Sequence, residues 1–117
     1  MEGIRKMNKA IRILKDYVKK DINIDQIEIL LHLADKEPEP VSYSILSKLI
    51  DNSMESISMN IRILGEYYIK DPDNGELVDT GLGLVKALPS LNSSGEYAAF
   101  LTAKGTKVVW MLNELIR

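Results

Sequence analysis

The sequence contains no cysteine among its 117 residues and only one histidine, His32. Without cysteine there is no disulfide and no thiolate metal site. Zinc sites generally recruit several histidine or cysteine ligands, so a single histidine removes most metal and acid–base arrangements. No nucleophile lies beside a base, and no glycine-rich loop leads from a strand into a helix to hold phosphate. The sequence therefore predicts a protein that is not an enzyme and that needs no cofactor and no metal.

Long apolar runs are also missing, and none approaches the roughly 20 residues that span a bilayer. Residues 1–20 are charged throughout and lack the continuous apolar segment of a secretory signal. The hydrophobic share of 45% and the charged share of 27% are ordinary for a globular protein. A chain of this length has room for one proper core. We predict one domain over residues 1–117 that is cytoplasmic and has no membrane partner.

Positive charge is scarce and unevenly placed. The formal net charge is −2, which argues against a non-specific nucleic-acid coat. Residues 1–20 carry seven basic and two acidic residues, whereas residues 21–117 carry eight basic and fifteen acidic residues. The basic end of the chain is thus its N-terminus.

Both ends of the chain carry apolar stripes at helical spacing. The first stripe has spacings of 3, 4, 3 and 4 and consists of Ile4, Met7, Ile11, Leu14 and Val18. The second consists of Val108, Val109, Leu112, Leu115 and Ile116, with Trp110 expected to pack beside it. Two heptads fit either a helix packed on its own domain or one paired with a second subunit. We predict that the helices at 1–20 and 103–117 form the contact of a homodimer.

A helix-turn-helix pattern occupies the middle of the chain. It is preceded by a helix that Asn23 and Gln26 can start as a capping box, with Ile27, Leu30, Leu31 and Leu33 as its predicted buried face. Ser42 can then cap a short helix that ends near residue 51. Asn52 and Ser53 make a turn, and Ser53 can cap the next helix, residues 54–64. Two short helices joined by a tight polar turn are typical of a helix-turn-helix.

The pattern changes to strands after this motif. A strong turn signal lies at residues 71–75, within the acidic cluster Asp71, Asp73, Glu76 and Asp79. That cluster lacks the ligand spacing of a calcium loop, so a solvated acidic turn is predicted. Residues 82–91 and 96–101 favour strands around a turn at 92–95, which predicts a β-hairpin with an exposed tip, and Thr102 can cap a final helix. The predicted fold class is mainly α with a small β-hairpin wing (α+β), a winged helix-turn-helix.

Four stretches resemble the MarR family of winged-helix regulators, including its shorter SarA-like branch. Residues 22–33 resemble the family's "LTxxQxxvLxxL", and residues 42–49 resemble "TxxxLxxxL". Ser56-Ile57-Ser58 stands where the family often has Thr-Val-Ser, and residues 100–105 resemble the "vxLTxxG" that leads out of the wing. The resemblance covers about residues 22–112. It implies a homodimeric transcription regulator, and this family often binds small ligands at the junction of dimer and domain.

The resemblance implies that residues 53–64 form the helix that reads DNA. If Ile57, Ile61 and Leu64 face the core, the outward residues can contact phosphates and base edges in the major groove. The family's wing arginine has no counterpart, and Lys86 is the one basic residue between positions 71 and 95, so Lys86 is predicted as the cationic contact of the wing. The predicted DNA-binding residues are Ser42, Ser53, Met54, Glu55, Ser56, Ser58, Met59, Asn60, Arg62 and Lys86.

The same surface supports a second interpretation. Arg62 is the only basic residue of the segment 53–64, and Met54 and Met59 are side chains that adapt to irregular partners. The primary hypothesis is therefore a sequence-specific regulator that binds double-stranded DNA as a homodimer. The alternative is a winged-helix module that docks another protein.

Overall fold

The computed structural model describes residues 1–91 and 95–117, which form five helices and five strands. The helices are α1 (Glu2–Tyr17), α2 (Ile24–Lys36), α3 (Tyr43–Ile50), α4 (Met54–Leu64) and α5 (Ala103–Ile116). The strands are β1 (Val41–Ser42), β2 (Tyr68–Lys70), β3 (Leu77–Asp79), β4 (Val85–Pro89) and β5 (Tyr97–Leu101).

The predicted helix starts are observed because each depends on side chains only three residues apart. In the capping box of α2, Asn23 Oδ1 accepts from the backbone N–H of Gln26 at 2.7 Å, and Gln26 Oε1 accepts from that of Asn23 at 3.2 Å. Ser42, Ser53 and Thr102 each accept from a first-turn N–H at 3.1–3.3 Å. These caps position α3 and α4 as a helix-turn-helix.

The core is built where α2, α3 and α4 meet the sheet. Its most deeply buried side chains include Ile29, Leu30, Leu33, Leu46, Ile57, Leu64, Leu84 and Val85. The predicted buried face of α2 is partly wrong, because Leu31 is 45% exposed and Ile29 is fully buried. The face is rotated because Gln26, at 2% exposure, is itself inside. Positions 26, 29, 30 and 33 then form the inward stripe of this helix.

Helix α1 lies against α5. The apolar stripe of residues 4–18 is partly buried and partly exposed. Leu14 and Val18 are buried in the core, whereas Ile4, Met7 and Ile11 are 53%, 62% and 44% exposed. Helix α5 buries Val108 and Leu112, but Trp110 is 61% exposed, so the prediction that it packs with the stripe is wrong for the single chain. Among the described residues, no helix has the length and apolar composition needed to cross a bilayer.

The main sheet is small and antiparallel, with strand order β1-β5-β4. Val41 pairs with Ala99, and Lys86 pairs with Phe100. Strands β4 and β5 form the hairpin that the sequence predicts as the wing. Of its predicted tip, Asn92, Ser93 and Ser94 lie outside the described residues. Gly95, the last residue of that turn, has a φ of 75°, a conformation that glycine adopts without steric cost.

A second hairpin, β2 paired with β3, was not predicted as strands. Its turn is the one that the sequence indicates at 71–75, where Asp71 O accepts from the N–H of Gly75 at 2.9 Å. All six strand residues are exposed, and this two-stranded sheet pairs with no other strand among the described residues. An isolated two-stranded hairpin is at best marginally stable, so its base must be fixed to the domain.

Candidate nucleic-acid interface

The side chains of α4 that pack into the core determine which of its other side chains face outward. Ile57, Ile61 and Leu64 are at most 2% exposed, as the sequence predicts. On the opposite side, Met54 and Met59 are each 43% exposed, and the side chains of Glu55 and Arg62 are exposed. Ser58 is half-buried between these two sides. The structure thus places five of the ten predicted DNA-binding residues on one surface of α4.

This surface forms one wall of an open groove of about 710 Å³. The other walls come from the start of α3 and from the start of β5. The groove is lined by Tyr43, Ser44, Met54, Glu55, Ser58, Met59, Arg62, Gly95, Glu96 and Tyr97. The arrangement therefore brings the outer face of α4 next to the turn end of the β4–β5 hairpin, opposite the end where Val85 pairs with Leu101.

Asn60 is not part of this surface, so its prediction as a contact to adenine is wrong. It is 7% exposed, and its Oδ1 accepts from Gln26 Nε2 at 3.1 Å and from Asn23 Nδ2 at 3.3 Å. Its Nδ2 donates to the backbone oxygen of Ser56 at 3.0 Å. Position 60 follows Ile57 by three residues, which places it on the inward stripe. A buried amide needs partners, and the amides of α2 supply them.

The predicted serines have structural roles that leave part of their hydrogen-bonding capacity open. The hydroxyls of Ser42 and Ser53 accept the capping bonds of α3 and α4. The Ser42 hydroxyl also shares a hydrogen bond with the Ser44 hydroxyl at 3.2 Å, whereas the Ser53 hydroxyl can still donate its proton, for example to a phosphate oxygen. Ser56 is half-buried, and its Oγ lies 3.4 Å from Nδ2 of Asn60. Ser56 therefore faces the inner amide cluster more than the open groove.

Five groove residues were missed by the sequence analysis: Tyr43, Ser44, Gly95, Glu96 and Tyr97. The Tyr43 and Tyr97 rings pack with centroids 6.1 Å apart and an interplanar angle of 33°. A carboxylate oxygen of Glu96 accepts from the N–H of Ser44 at 2.9 Å, which joins β5 to the first turn of α3. Positions 43 and 97 lie on different elements, and no sequence pattern indicated that they meet. The hydrogen bond between Glu96 and Ser44 places a carboxylate at the N-terminus of α3, a helix end that favours anions.

The two predicted basic contacts, Arg62 and Lys86, lie in the same region of the surface. Both line a smaller cleft of about 190 Å³ between α4 and β4, with Glu66 at the same cleft. The guanidinium carbon of Arg62 lies 5.1 Å from the centroid of the Tyr67 ring, and its Nη2 lies 3.9 Å from Sδ of Met59. The cationic part of the surface is thus a pair of side chains on neighbouring elements.

The pKa of Tyr43 is raised above its ordinary value. Burial is the largest cause, because the phenolate is harder to solvate inside the protein than in water. The neighbouring Tyr97 raises this pKa further, and the positive charge of Arg62 lowers it. Tyr43 is therefore a neutral phenol at pH 7, and the groove gains no negative charge from it.

The acidic turn of the β2–β3 hairpin uses its side chains locally. Asp71 Oδ1 accepts from the N–H of Asp73 at 2.8 Å, and Asn74 Oδ1 accepts from that of Glu76 at 2.9 Å. Across residues 1–91 and 95–117, no three histidine, aspartate or glutamate side chains gather as metal ligands would.

Comparison with solved structures places this arrangement among known folds. A crystal structure of the Staphylococcus aureus MepR–DNA complex has a TM-score of 0.67 and 16% identity, over 97% of this chain and 75% of that one. RV1404 from Mycobacterium tuberculosis has a TM-score of 0.70 and 21% identity, over 98% of this chain and 66% of that one. A cysteine-to-serine mutant of Escherichia coli MarR has a TM-score of 0.63 and 16% identity, over 99% of this chain and 71% of that one.

These structures are similar to the chain in fold. The sequence matches no protein-family model and no curated protein. The fold is the winged helix-turn-helix fold of MarR-type regulators, which confirms the predicted fold class and the fold that the sequence resemblance implied. The structure also contains the β2–β3 hairpin, between α4 and the wing strands, which the sequence analysis did not predict.

Proposed function

We propose that the protein is a transcription regulator that binds double-stranded DNA as a homodimer. The observation that carries this proposal is the exposed outer face of α4 beside the β4–β5 hairpin, in a fold that MepR shows in complex with DNA. In a helix-turn-helix the second helix enters the major groove. Met54, Glu55, Ser58, Met59 and Arg62 are then the side chains nearest to base edges.

Electrostatics restrict how this surface can bind. Arg62 and Lys86 are the basic residues that line the two clefts of the interface, and Glu55, Glu66 and Glu96 line the same clefts. Sequence-independent attraction to phosphate grows with the number of basic contacts, so it is weak here. Useful affinity must come from specific contacts and from two half-sites bound at once. The proposal is therefore of a sequence-specific protein and not of a general DNA-coating protein.

The homodimer is proposed from the surfaces of α1 and α5. The N-terminal half of α1 exposes Ile4, Met7 and Ile11, and α5 exposes Trp110 and Ile116 at 61% each. Large apolar side chains repeated along one helix mark an interaction site more often than scattered ones do. In the proposed dimer, pairing of these two helices with their copies buries these exposed side chains. It also places two α4 helices in one particle, as recognition of two half-sites requires.

The DNA proposal is tested by selecting sequences from a random duplex pool at low salt and titrating variants on the selected duplex. We expect Arg62→Ala to weaken binding by roughly 1–3 kcal/mol if Arg62 contacts a base, and to reduce the salt dependence by about one unit per subunit if it contacts a phosphate. Lys36→Ala, which removes the same charge from α2, is the matched control and should change little. The proposal fails if no sequence is enriched and Arg62→Ala binds as the parent does.

The dimer proposal is tested by sedimentation velocity at micromolar concentration. Met7→Glu with Ile11→Glu should produce a folded monomer, because these two side chains lie outside the core of their own chain. Met54→Glu, at an exposed methionine of α4, is the control and should remain a dimer. A parent protein that sediments as a stable monomer contradicts the proposal.

A second candidate function is the docking of another protein. Its support is the apolar character of the groove, where Met54 and Met59 face Tyr43 and Tyr97 around a single arginine. Flexible methionines and aromatic rings are typical of surfaces that adapt to protein partners. A duplex selection that enriches nothing favours this candidate, and the same groove then becomes the docking surface.

A further inference from the structure

The only basic side chain of α4 is held by neighbouring groups. The guanidinium of Arg62 lies over the Tyr67 ring at 5.1 Å and close to the sulfur of Met59. A cation over the face of an aromatic ring is attracted by the ring's electron density, and the planar guanidinium also stacks on it. Arg62 is therefore restricted in orientation although its side chain is exposed.

Tyr67 is fixed in turn by the base of the β2–β3 hairpin. Its backbone N–H donates to Asp79 Oδ1 at 2.9 Å. Its backbone oxygen accepts from the N–H of Thr80 at 2.7 Å and from Thr80 Oγ1 at 2.9 Å. Both polar backbone groups of Tyr67 are thus bonded to the returning strand and the residue after it. The ring is half-buried, so its position follows from the hairpin.

The hairpin base is itself packed tightly on the end of α4. A Cβ added at Gly81 would stand 2.1 Å from the backbone oxygen of Gly65, so the two glycines touch backbone to backbone. Asp79 Oδ1 also accepts from the N–H of Gly81 at 2.8 Å. The strands beyond this base are exposed on both faces and add no buried side chain to the core. The part of the hairpin that acts on the rest of the domain is therefore its base, which carries Tyr67.

We propose that Tyr67 is a positioning residue, and that the hairpin holds its ring against Arg62 so that this guanidinium is oriented before DNA is bound. This inference rests on the proposed DNA-binding function. A long arginine side chain loses rotamer freedom when it makes a directed contact, and a side chain already held loses less. The hairpin thus acts on DNA recognition through Arg62 and without touching DNA itself.

The inference is tested on the selected duplex with variants at positions 67 and 68. Tyr67→Leu should weaken binding by about twofold to fivefold per α4 helix, the range of an exposed cation–π contact. Tyr67→Phe keeps the ring and should bind as the parent does. Tyr68→Leu is the matched control, because the Tyr68 hydroxyl contacts Glu66 and no contact of its ring with Arg62 is found in the described structure. In an Arg62→Ala background, Tyr67→Leu should have no further effect.

A second measurement needs no DNA. In ¹⁵N NMR spectra of the free protein, the Nε–Hε proton of Arg62 should be shifted upfield by the Tyr67 ring. That shift should persist in Tyr67→Phe and disappear in Tyr67→Leu. Absence of the shift in the parent overturns the inference. So does a Tyr67→Leu protein that binds DNA as the parent does while Arg62→Ala binds more weakly. If the parent binds no duplex at all, the proposed function fails, and the positioning role fails with it.

Discussion

The buried amide cluster at Asn60 supports a prediction that separates a structural role from a DNA contact. Asn60→Leu keeps the approximate size of the side chain and removes both hydrogen-bonding groups. Gln26 Nε2, on a residue only 2% exposed, then loses its acceptor in a place where water does not replace it. The side-chain bond from Asn60 to the backbone oxygen of Ser56 is lost as well. Asn23 is exposed, and water can satisfy its amide.

The magnitude follows from these two losses. Leaving a buried donor unsatisfied costs about 1–3 kcal/mol, and an ordinary intramolecular hydrogen bond contributes about 0.5–1.5 kcal/mol. We therefore expect the free energy of unfolding to fall by roughly 2–4 kcal/mol. The entropy of unfolding is about 2.1 cal/mol/K per residue, which for this chain converts 1 kcal/mol into about 4 °C. The expected decrease in Tm is then about 8–16 °C.

The assay is thermal unfolding followed by circular dichroism at one fixed protein concentration, because association changes the apparent Tm. Met59→Leu, on the exposed face of the same helix, is the control and should stay within about 0.5 kcal/mol of the parent. Gln26→Leu with Asn60→Leu removes both partners and should be less destabilised than the two single changes added together. An Asn60→Leu protein with parental Tm but weakened DNA binding refutes the structural role and restores the base contact.

Two further predictions concern α5 and the groove. Gly105→Ala should lower the free energy of unfolding by about 1–3 kcal/mol in a denaturant titration, although alanine is the better helix former, because its Cβ would stand 2.0 Å from the backbone oxygen of Leu84. A stabilised variant contradicts that packing. The raised pKa of Tyr43 means that the folded state holds the phenol proton more tightly than the unfolded state. Its contribution to stability is fully present below the ordinary tyrosine pKa and is lost as pH rises through the folded pKa. Tyr43→Phe should therefore make unfolding less steeply pH-dependent above about pH 10, as followed by alkaline denaturation, and identical profiles for parent and variant count against it.

The local features of this protein are determined by its sequence. The capping box at Asn23 and Gln26, the caps at Ser42, Ser53 and Thr102 and the turn at residues 71–75 are all formed as predicted. Each depends on side chains and backbone groups a few residues apart, so the physics is contained in a short segment. The order of these segments was enough to predict a winged helix-turn-helix, because few folds accommodate that order.

Features that require two distant segments were decided by the tertiary structure. The sequence predicts that the polar Asn60 faces outward. In the structure it is buried, because Gln26 from a different helix supplies a hydrogen-bond partner for its amide. The strands β2 and β3 have three residues each and lack a buried face, so no alternating hydrophobic pattern predicts them from the sequence. Their pairing depends on the base that Asp79 and Thr80 form around Tyr67.

The same division applies to the two surfaces on which the proposed function depends. The apolar stripe of α1 is uniform in sequence, yet Leu14 is buried in the core and Ile11 is 44% exposed, because the rest of the domain covers only part of that helix. The groove beside α4 gains Tyr43 and Tyr97 because the main sheet joins strand β5 to the start of α3. Periodicity determines which face of a helix is apolar. Only the packing of distant elements decides how much of that face is covered and which side chains meet across it.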